Sequence, residues 1–166
     1  MLLPTEAPLA EQFQSTGTID VFFSPKGGAT RAVVNEIDSA TKTIRVQAFS
    51  FTNKRIAKAL VNAKKRGLDV EVVFDAEQQK NSYTSARFIS RSGISTLIDS
   101  RHNSAHNKII IIDGRVLITG SFNFTEAGEW QNAENLLVIK GNEPLVERYE
   151  KNYALHRGHS ATYKEK

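Results

Sequence analysis

The chain has 166 residues, 40% hydrophobic and 24% charged, which fits one globular core and excludes fibrous and disordered classes. Its 22 Lys and Arg against 18 Asp and Glu leave a net charge of +4, a mild bias toward polyanionic partners. With no cysteine, disulfides, thiolate zinc sites, iron–sulfur clusters and thiol nucleophiles are excluded, and the longest apolar run, Ile109 to Ile112, is far below the roughly 18 residues that cross a bilayer.

Residues 1–17 read as an N-terminal arm, interrupted by Pro4 and Pro8. Met1-Leu2-Leu3 runs straight into Pro4, Thr5 and Glu6, without the basic and apolar stretches of a signal peptide, so the chain reads as cytoplasmic or as mature after loss of its signal. Ile19 to Phe23 is a β-rich run closed by Ser24-Pro25-Lys26-Gly27-Gly28. A helix over Ala29 to Ala40 carries Val33 and Ile37 at helical spacing, and Thr43 to Phe51 is a strand with Ile44, Val46 and Ala48 on one face. Asn53 to Arg66 repeats Ile56, Leu60 and Ala63, with Thr52 or Asn53 as N-cap and Gly67 just past its end. Val70 to Phe74 reads as a buried strand, Ser82 to Arg91 as a short helix and Ile94 to Ile98 as another strand. A hairpin around Asp113-Gly114 follows, then a strand over Asn135 to Ile139 and a helix from about Asn142 with Pro144 in its first turn. This alternation predicts a single α/β domain over 18–158, a mixed, mostly parallel sheet with helices on both faces, and a basic tail over 159–166.

Chemistry concentrates in the hairpin. Asp-Gly between two apolar β-branched runs predicts a two-residue turn, which pairs Ile112 with Arg115, Lys108 with Thr119 and His106 with Ser121. Period-two alternation then projects His106, Lys108, Ser121 and Asn123 from one face at the open end of the hairpin. An ammonium with neutral donors suits a phosphate oxyanion, Gly120 admits close backbone approach to a ligand, and an imidazole serves as nucleophile or general acid near neutral pH. The residues alone describe a phosphate site with a reactive histidine.

The pattern His106-x-Lys108, then Asp113 after four intervening residues and Gly120-Ser121-x-Asn123 after six more, resembles the signature of the phospholipase D superfamily. The similarity extends to its small single-motif bacterial endonuclease branch and to the mitochondrial cardiolipin hydrolases. Phe23 to Gly28, Phe49-Ser50-Phe51-Thr52-Asn53, Arg66 to Val70, Phe124-Thr125 and Glu134-Asn135 carry it, over about Ile19 to Tyr153.

The resemblance implies an α-β-α sandwich and a reaction in which one histidine attacks phosphorus while a second protonates the leaving oxygen. With one His-x-Lys pair per chain, it further implies a homodimer whose active site lies on the two-fold axis, each copy giving His106, Lys108, Ser121 and Asn123. Glu134 is the candidate to accept the His106 Nδ1 proton, and Ser50, Thr52 and Lys54 are candidate substrate contacts. Asp113, by contrast, lies seven extended residues from His106, roughly 20 Å or more, and reads as structural together with Gly120.

Lys54, Arg55 and Lys58 can steer a polyanion, whereas Lys64, Lys65 and Arg66 read as a solvated face. Phe49, Phe51, Phe122 and Phe124 read as core or dimer contacts. His102 and His106 lie four apart in a loop-like stretch, and His156 and His159 fall in the basic tail, so no metal site and no cofactor is expected. The leading reading is a metal-independent endonuclease cutting DNA, with RNA as a second substrate and no stable membrane association. A phospholipase D-type hydrolase of phosphatidyl substrates and a catalytically idle nucleic-acid-binding module are the alternatives. Family resemblance points to a periplasmic or secreted location, with the cytoplasm as the alternative.

Overall fold

A computed structural model describes residues 10–80 and 84–165. Its elements run β1 (Thr18–Ser24), α1 (Ala29–Ser39), β2 (Thr43–Ala48), α2 (Lys54–Lys65), β3 (Asp69–Asp75), α3 (Glu77–Lys80) and α4 (Ala86–Arg91). They continue as β4 (Ser95–Asp99), β5 (Lys108–Ile112), β6 (Val116–Gly120), α5 (Glu126–Trp130), β7 (Glu134–Lys140), α6 (Glu143–His159) and β8 (Ala161–Thr162). Positions 1–9 of the arm and Ser82 and Tyr83 of the predicted short helix lie outside the described residues.

One mixed sheet orders these strands β1-β7-β6-β5-β2-β3-β4-β8. Only β2–β3 and β3–β4 pair in parallel among the described residues, so the sheet is mostly antiparallel rather than mostly parallel. The reason lies in the connections. A parallel pair needs a crossover, as α2 provides, whereas the tight β5–β6 turn and the short path through α5 reverse the chain.

Burial follows the sequence periodicities. Ile110, Ile112, Val46 and Ile118 face α1 and α2, where Val33, Ile37, Ile56 and Leu60 are fully buried. Ile109, Ile111 and Leu117 face the other way, onto Val146 and Tyr153 of α6. A strand buried on both faces reads as continuous isoleucine, and β5 does. Asn53 is the cap of α2, its Oδ1 accepting from the N–H groups of Arg55 and Ile56.

The described part of the arm docks on its own chain. Asn142 Nδ2 donates to the Gln14 carbonyl and Thr16 Oγ1 to the Gly141 carbonyl, both at 2.8 Å, and Glu11 pairs with Arg148 at 3.0 Å. The basic tail also corrects to ordered structure. α6 runs through His159, and β8 adds an edge strand to β4 by pairing Ala161 with Ile98.

Candidate active site

The β5–β6 turn holds three residues, 113–115, rather than two. Asp113 and Gly114 both take positive φ, and Arg115 N–H donates to the Ile112 carbonyl at 3.0 Å. Ile112 therefore pairs with Val116 and Ile110 with Ile118, one residue off the predicted register. Regular pairing stops there, and at Gly120 the chain takes φ 148°. The N–H groups of Ser121 and Phe122 both donate to the Asn135 carbonyl at 3.1 Å, a bulge that turns the segment carrying Ser121 and Asn123. These two residues thus reach the end of the sheet through a bend, not through simple alternation. Gly120 also corrects in role. A Cβ there would stand 2.3 Å from the Asn135 carbonyl oxygen, so the close approach it permits is to β7 rather than to a ligand.

The strand pairings bring the carboxyl ends of β1, β2, β3, β4 and β6 together with the amino ends of β5 and β7. His106 enters β5 at this end. Its ring packs on Phe49 at 4.2 Å between centroids, and the Lys108 ammonium lies 5.0 Å from the same Phe49 centroid. Sequence reading placed Phe49 in a core or dimer contact. Ala48 pairing with Lys108 is what sets Phe49 against the histidine. Phe51, Phe122 and Phe124 are fully buried core, as expected.

Lys108 is only 5% exposed, a buried ammonium that needs partners. It donates to His106 Nδ1 at 2.8 Å and to the His106 carbonyl at 2.7 Å. An ammonium can only donate, so Nδ1 accepts here and the ring proton sits on Nε2. That contact displaces the expected one, in which Glu134 accepts the Nδ1 proton. Glu134 Oε1 instead accepts from Asn132 Nδ2 at 3.2 Å, and its N–H donates to Ser24 Oγ. It still acts on Lys108 through space. Burial pushes the lysine below its ordinary value, and the Glu134 carboxylate partly restores it.

Ser121 is exposed. Its Oγ accepts from Asn135 N–H at 3.0 Å and from Asn135 Nδ2 at 3.2 Å, which leaves the hydroxyl proton free to donate. Asn123 Oδ1 is buried without a hydrogen-bond partner among the described residues. Thr52 and Lys54 line a groove of about 520 Å³ along α2 with Lys58, Ser85 and Phe88, and Thr52 N–H donates to the carbonyl of Phe124, the residue after Asn123, at 3.0 Å. Ser50 lies half-buried between β2 and α2. Asp113 sits at the opposite end of the sheet, where its carboxylate accepts from the N–H groups of Thr41, Lys42 and Thr43 and from the Thr41 hydroxyl.

Glu129, which sequence reading passed over, is buried and accepts from Gly28 N–H at 3.0 Å and Thr30 N–H at 2.7 Å. It ties α5 to the start of α1 and so holds the Lys26-Gly27-Gly28 turn beside the site. Histidines and a carboxylate also gather away from this cluster. One ligand atom each from Asp99, His102, His156 and His159 lies within 4.8 Å of the others. Because 54 residues separate His102 from His156, only the path of α6 back to β4 reveals the group.

Residues 33–156 match the family model described as cardiolipin synthase, PLD-like domain. A "Phospholipase D" of Rickettsia conorii is 38% identical over 139 residues, covering 84% of this chain and 69% of that one. A "Mitochondrial cardiolipin hydrolase" of Chlamydomonas reinhardtii is 31% identical over 103 residues, 62% of this chain and 46% of that protein. The crystal structure of Nuc from Salmonella typhimurium, a phospholipase D family member, superposes with a TM-score of 0.85 at 39% identity, over 89% of this chain and 99% of that one. A buried lysine locked to a histidine at one end of this mixed sheet is thus set in a phosphodiesterase of the phospholipase D superfamily, in its branch of small Nuc-like domains.

Proposed function

We propose that this phosphodiesterase is a nonspecific endonuclease that hydrolyses DNA, and RNA as a second substrate, in an active site shared by two copies of the chain. The observation that carries the reading is the His106–Lys108 pair, one imidazole per chain, at the sheet end where β1 and β7 meet. A phosphodiester entering there draws the Lys108 ammonium onto a nonbridging oxygen, and Ser121 and Asn123 add neutral donors. Nδ1 is then released to take the ring proton, and Glu134 stabilises the resulting charge.

His106 Nε2 attacks phosphorus, forming a P–N bond as the P–O bond to the leaving alcohol breaks. The partner's His106, protonated, supplies the proton that the leaving oxygen takes up. Water, deprotonated by that same second imidazole, then cleaves the P–N bond and restores both histidines. Two lysines, one per copy, supply the charge compensation that a metal ion supplies in other phosphodiesterases.

Two further features support this reading. Ile19, Val21 and Phe23 of β1 alternate outward at 52%, 51% and 69% exposure, an apolar stripe that ends at Ser24, the residue paired with Glu134. A second copy is the natural cover for a stripe running into an incomplete site. Beside it, Lys26, Arg31, Arg55 and the half-exposed Trp130 line a cleft of about 340 Å³, the cationic and aromatic lining that suits a nucleic-acid strand. The name of the Rickettsia relatives favours the second reading, a phosphatidyl substrate.

A plasmid-nicking assay in EDTA, run beside phosphatidylcholine and cardiolipin hydrolysis, separates the two. Nicking that vanishes in His106→Asn is the expected result, and phospholipid turnover without nicking overturns it. Mixing wild type with an equal amount of His106→Asn under exchange should leave about one quarter of the activity, since only wild-type pairs hold both imidazoles. Retention of half refutes the shared site.

A further inference from the structure

We propose that Asp99, His102, His156 and His159 bind one divalent transition-metal ion of the zinc type, clamping the last turn of α6 to the β4–β5 loop. The site lies outside the His106 cluster and does not depend on the hydrolytic reading. Asp99 Oδ2 lies 2.7 Å from His156 Nδ1, 3.1 Å from His159 Nε2 and 3.1 Å from His102 Nδ1. His102 Nδ1 also lies 3.3 Å from Oδ1, so the three imidazoles and Arg101 N–H together occupy the roughly four lone-pair sites of this one carboxylate and converge on it. Asp99 is fully buried, and its second oxygen already accepts from Arg101 N–H at 3.0 Å. That bond turns Oδ2 toward the rings, the orienting contact a metal-ligating carboxylate ordinarily has.

Ring spacing supplies an independent check. Zinc–nitrogen bonds of about 2.0–2.1 Å place each imidazole centre about 3.2 Å from the ion, and tetrahedral angles then separate the centres by about 5.2 Å. The three centroid separations are 4.9 Å for His102–His156, 5.2 Å for His102–His159 and 5.4 Å for His156–His159. The ring centres already stand at the spacing a shared ion would impose, and binding needs the carboxylate to draw back, since its Oδ2 lies 2.7–3.1 Å from the ring nitrogens where tetrahedral zinc ligands stand about 3.3 Å apart.

The chemistry of the donors selects the ion. Three imidazoles and one carboxylate suit zinc, nickel or copper and disfavour magnesium and calcium, which take oxygen ligands. Four protein ligands fill a tetrahedral shell, so the ion is structural and carries no reactive water. His156 and His159 occupy the last turn of α6, where the negative end of the helix dipole favours a cation. The His102 side chain is 46% exposed, against 14% and 20% for His156 and His159, which marks the side from which an ion enters.

The test uses the full chain, stripped with a chelator, dialysed and titrated with Zn²⁺ against a chromophoric indicator at pH 7.5, with Co²⁺ as a spectroscopic probe. Expected are one equivalent bound per chain, the visible bands of tetrahedral Co²⁺, and a Tm raised by roughly 5–10 °C at saturating Zn²⁺. His156→Gln should weaken binding by about 100-fold or more, whereas His106→Asn should leave it unchanged. His102→Gln, at a half-exposed position where folding is undisturbed, should weaken binding as well. No saturable uptake by wild type, or uptake that survives both His102→Gln and His156→Gln, overturns the assignment.

Discussion

Asp113 is the third fixed residue of the signature and the one farthest from the chemistry, so its replacement separates folding from catalysis. Its carboxylate accepts from Thr41 N–H, Lys42 N–H and Thr43 N–H at 2.8 Å each and from the Thr41 hydroxyl at 2.9 Å. These bonds tie the β5–β6 turn to the α1–β2 connection across about 70 residues of sequence. Asparagine tolerates the positive φ of 53° at this position but turns an amide nitrogen toward donors that need an acceptor. The loss should be about 2–3 kcal/mol for Asp113→Asn, and about 1–2 kcal/mol more for Asp113→Ala, which adds the cost of that φ. At 2–4 °C per kcal/mol for a domain of this size, Tm should fall by roughly 4–12 °C in the asparagine variant.

Burial alone would raise the Asp113 carboxyl, but the three backbone N–H bonds and the Thr41 hydroxyl outweigh it and hold the group below its ordinary value. A depressed carboxylate contributes stability above its unfolded pKa of about 4 and loses it as pH falls through the folded value. The Tm gap between wild type and Asp113→Asn should therefore be full at pH 7 and shrink below pH 4. Thermal unfolding by circular dichroism reads both quantities, and kcat at 25 °C should stay within about twofold of wild type. A tenfold loss of kcat with Tm unchanged would refute the structural assignment.

Gly120→Ala should be strongly destabilising, because its Cβ would meet the Asn135 carbonyl at 2.3 Å in a backbone conformation that alanine avoids. A loss of at least about 3 kcal/mol is expected by chemical unfolding, and a midpoint equal to wild type would mean that β6 and β7 separate without cost. Glu134→Gln should leave the proposed dimer intact and lower kcat by tenfold or more. Since burial depresses Lys108 and Glu134 partly restores it, removing that carboxylate should also move the alkaline limb of the pH–rate profile to lower pH. Wild-type turnover with an unmoved profile would take Glu134 out of the mechanism.

What the sequence made legible was local. Ile56, Leu60 and Ala63 placed α2 within one residue at each end, because a helix buried on one stripe has a period that needs no partner to read. The His106–Lys108 contact was legible for a similar reason, since residues two apart on one strand share a face. Errors arose where one residue more or less changes everything downstream. The three-residue turn at Asp113 shifted the hairpin register, and the bulge after Gly120 re-aimed Ser121 and Asn123. Strand direction was hidden too, because an apolar strand buried on both faces looks the same in either orientation. Contacts made only once the sheet is assembled had no local trace, as with Phe49 on His106 and Glu129 on the start of α1.

The same distinction governs how metal dependence should be read in this molecule. His102 and His106 are separated by only three residues, and Ala105 N–H is pinned to the Asp75 carboxylate at 2.6 Å, so the histidine proposed to attack phosphorus hangs from the loop that the proposed cation would clamp. A chelator could therefore lower activity without any metal taking part in phosphoryl transfer. The two causes have different signatures. Loss of a catalytic ion removes turnover at every temperature and is restored by Mg²⁺, whereas loss of a structural ion lowers Tm first, spares turnover at 25 °C and is restored by Zn²⁺ but not by Mg²⁺. Lys108 gives the physical reason to expect the second pattern. Its ammonium is already held in contact with the imidazole, so charge to meet a phosphate is built into the chain rather than borrowed from an ion.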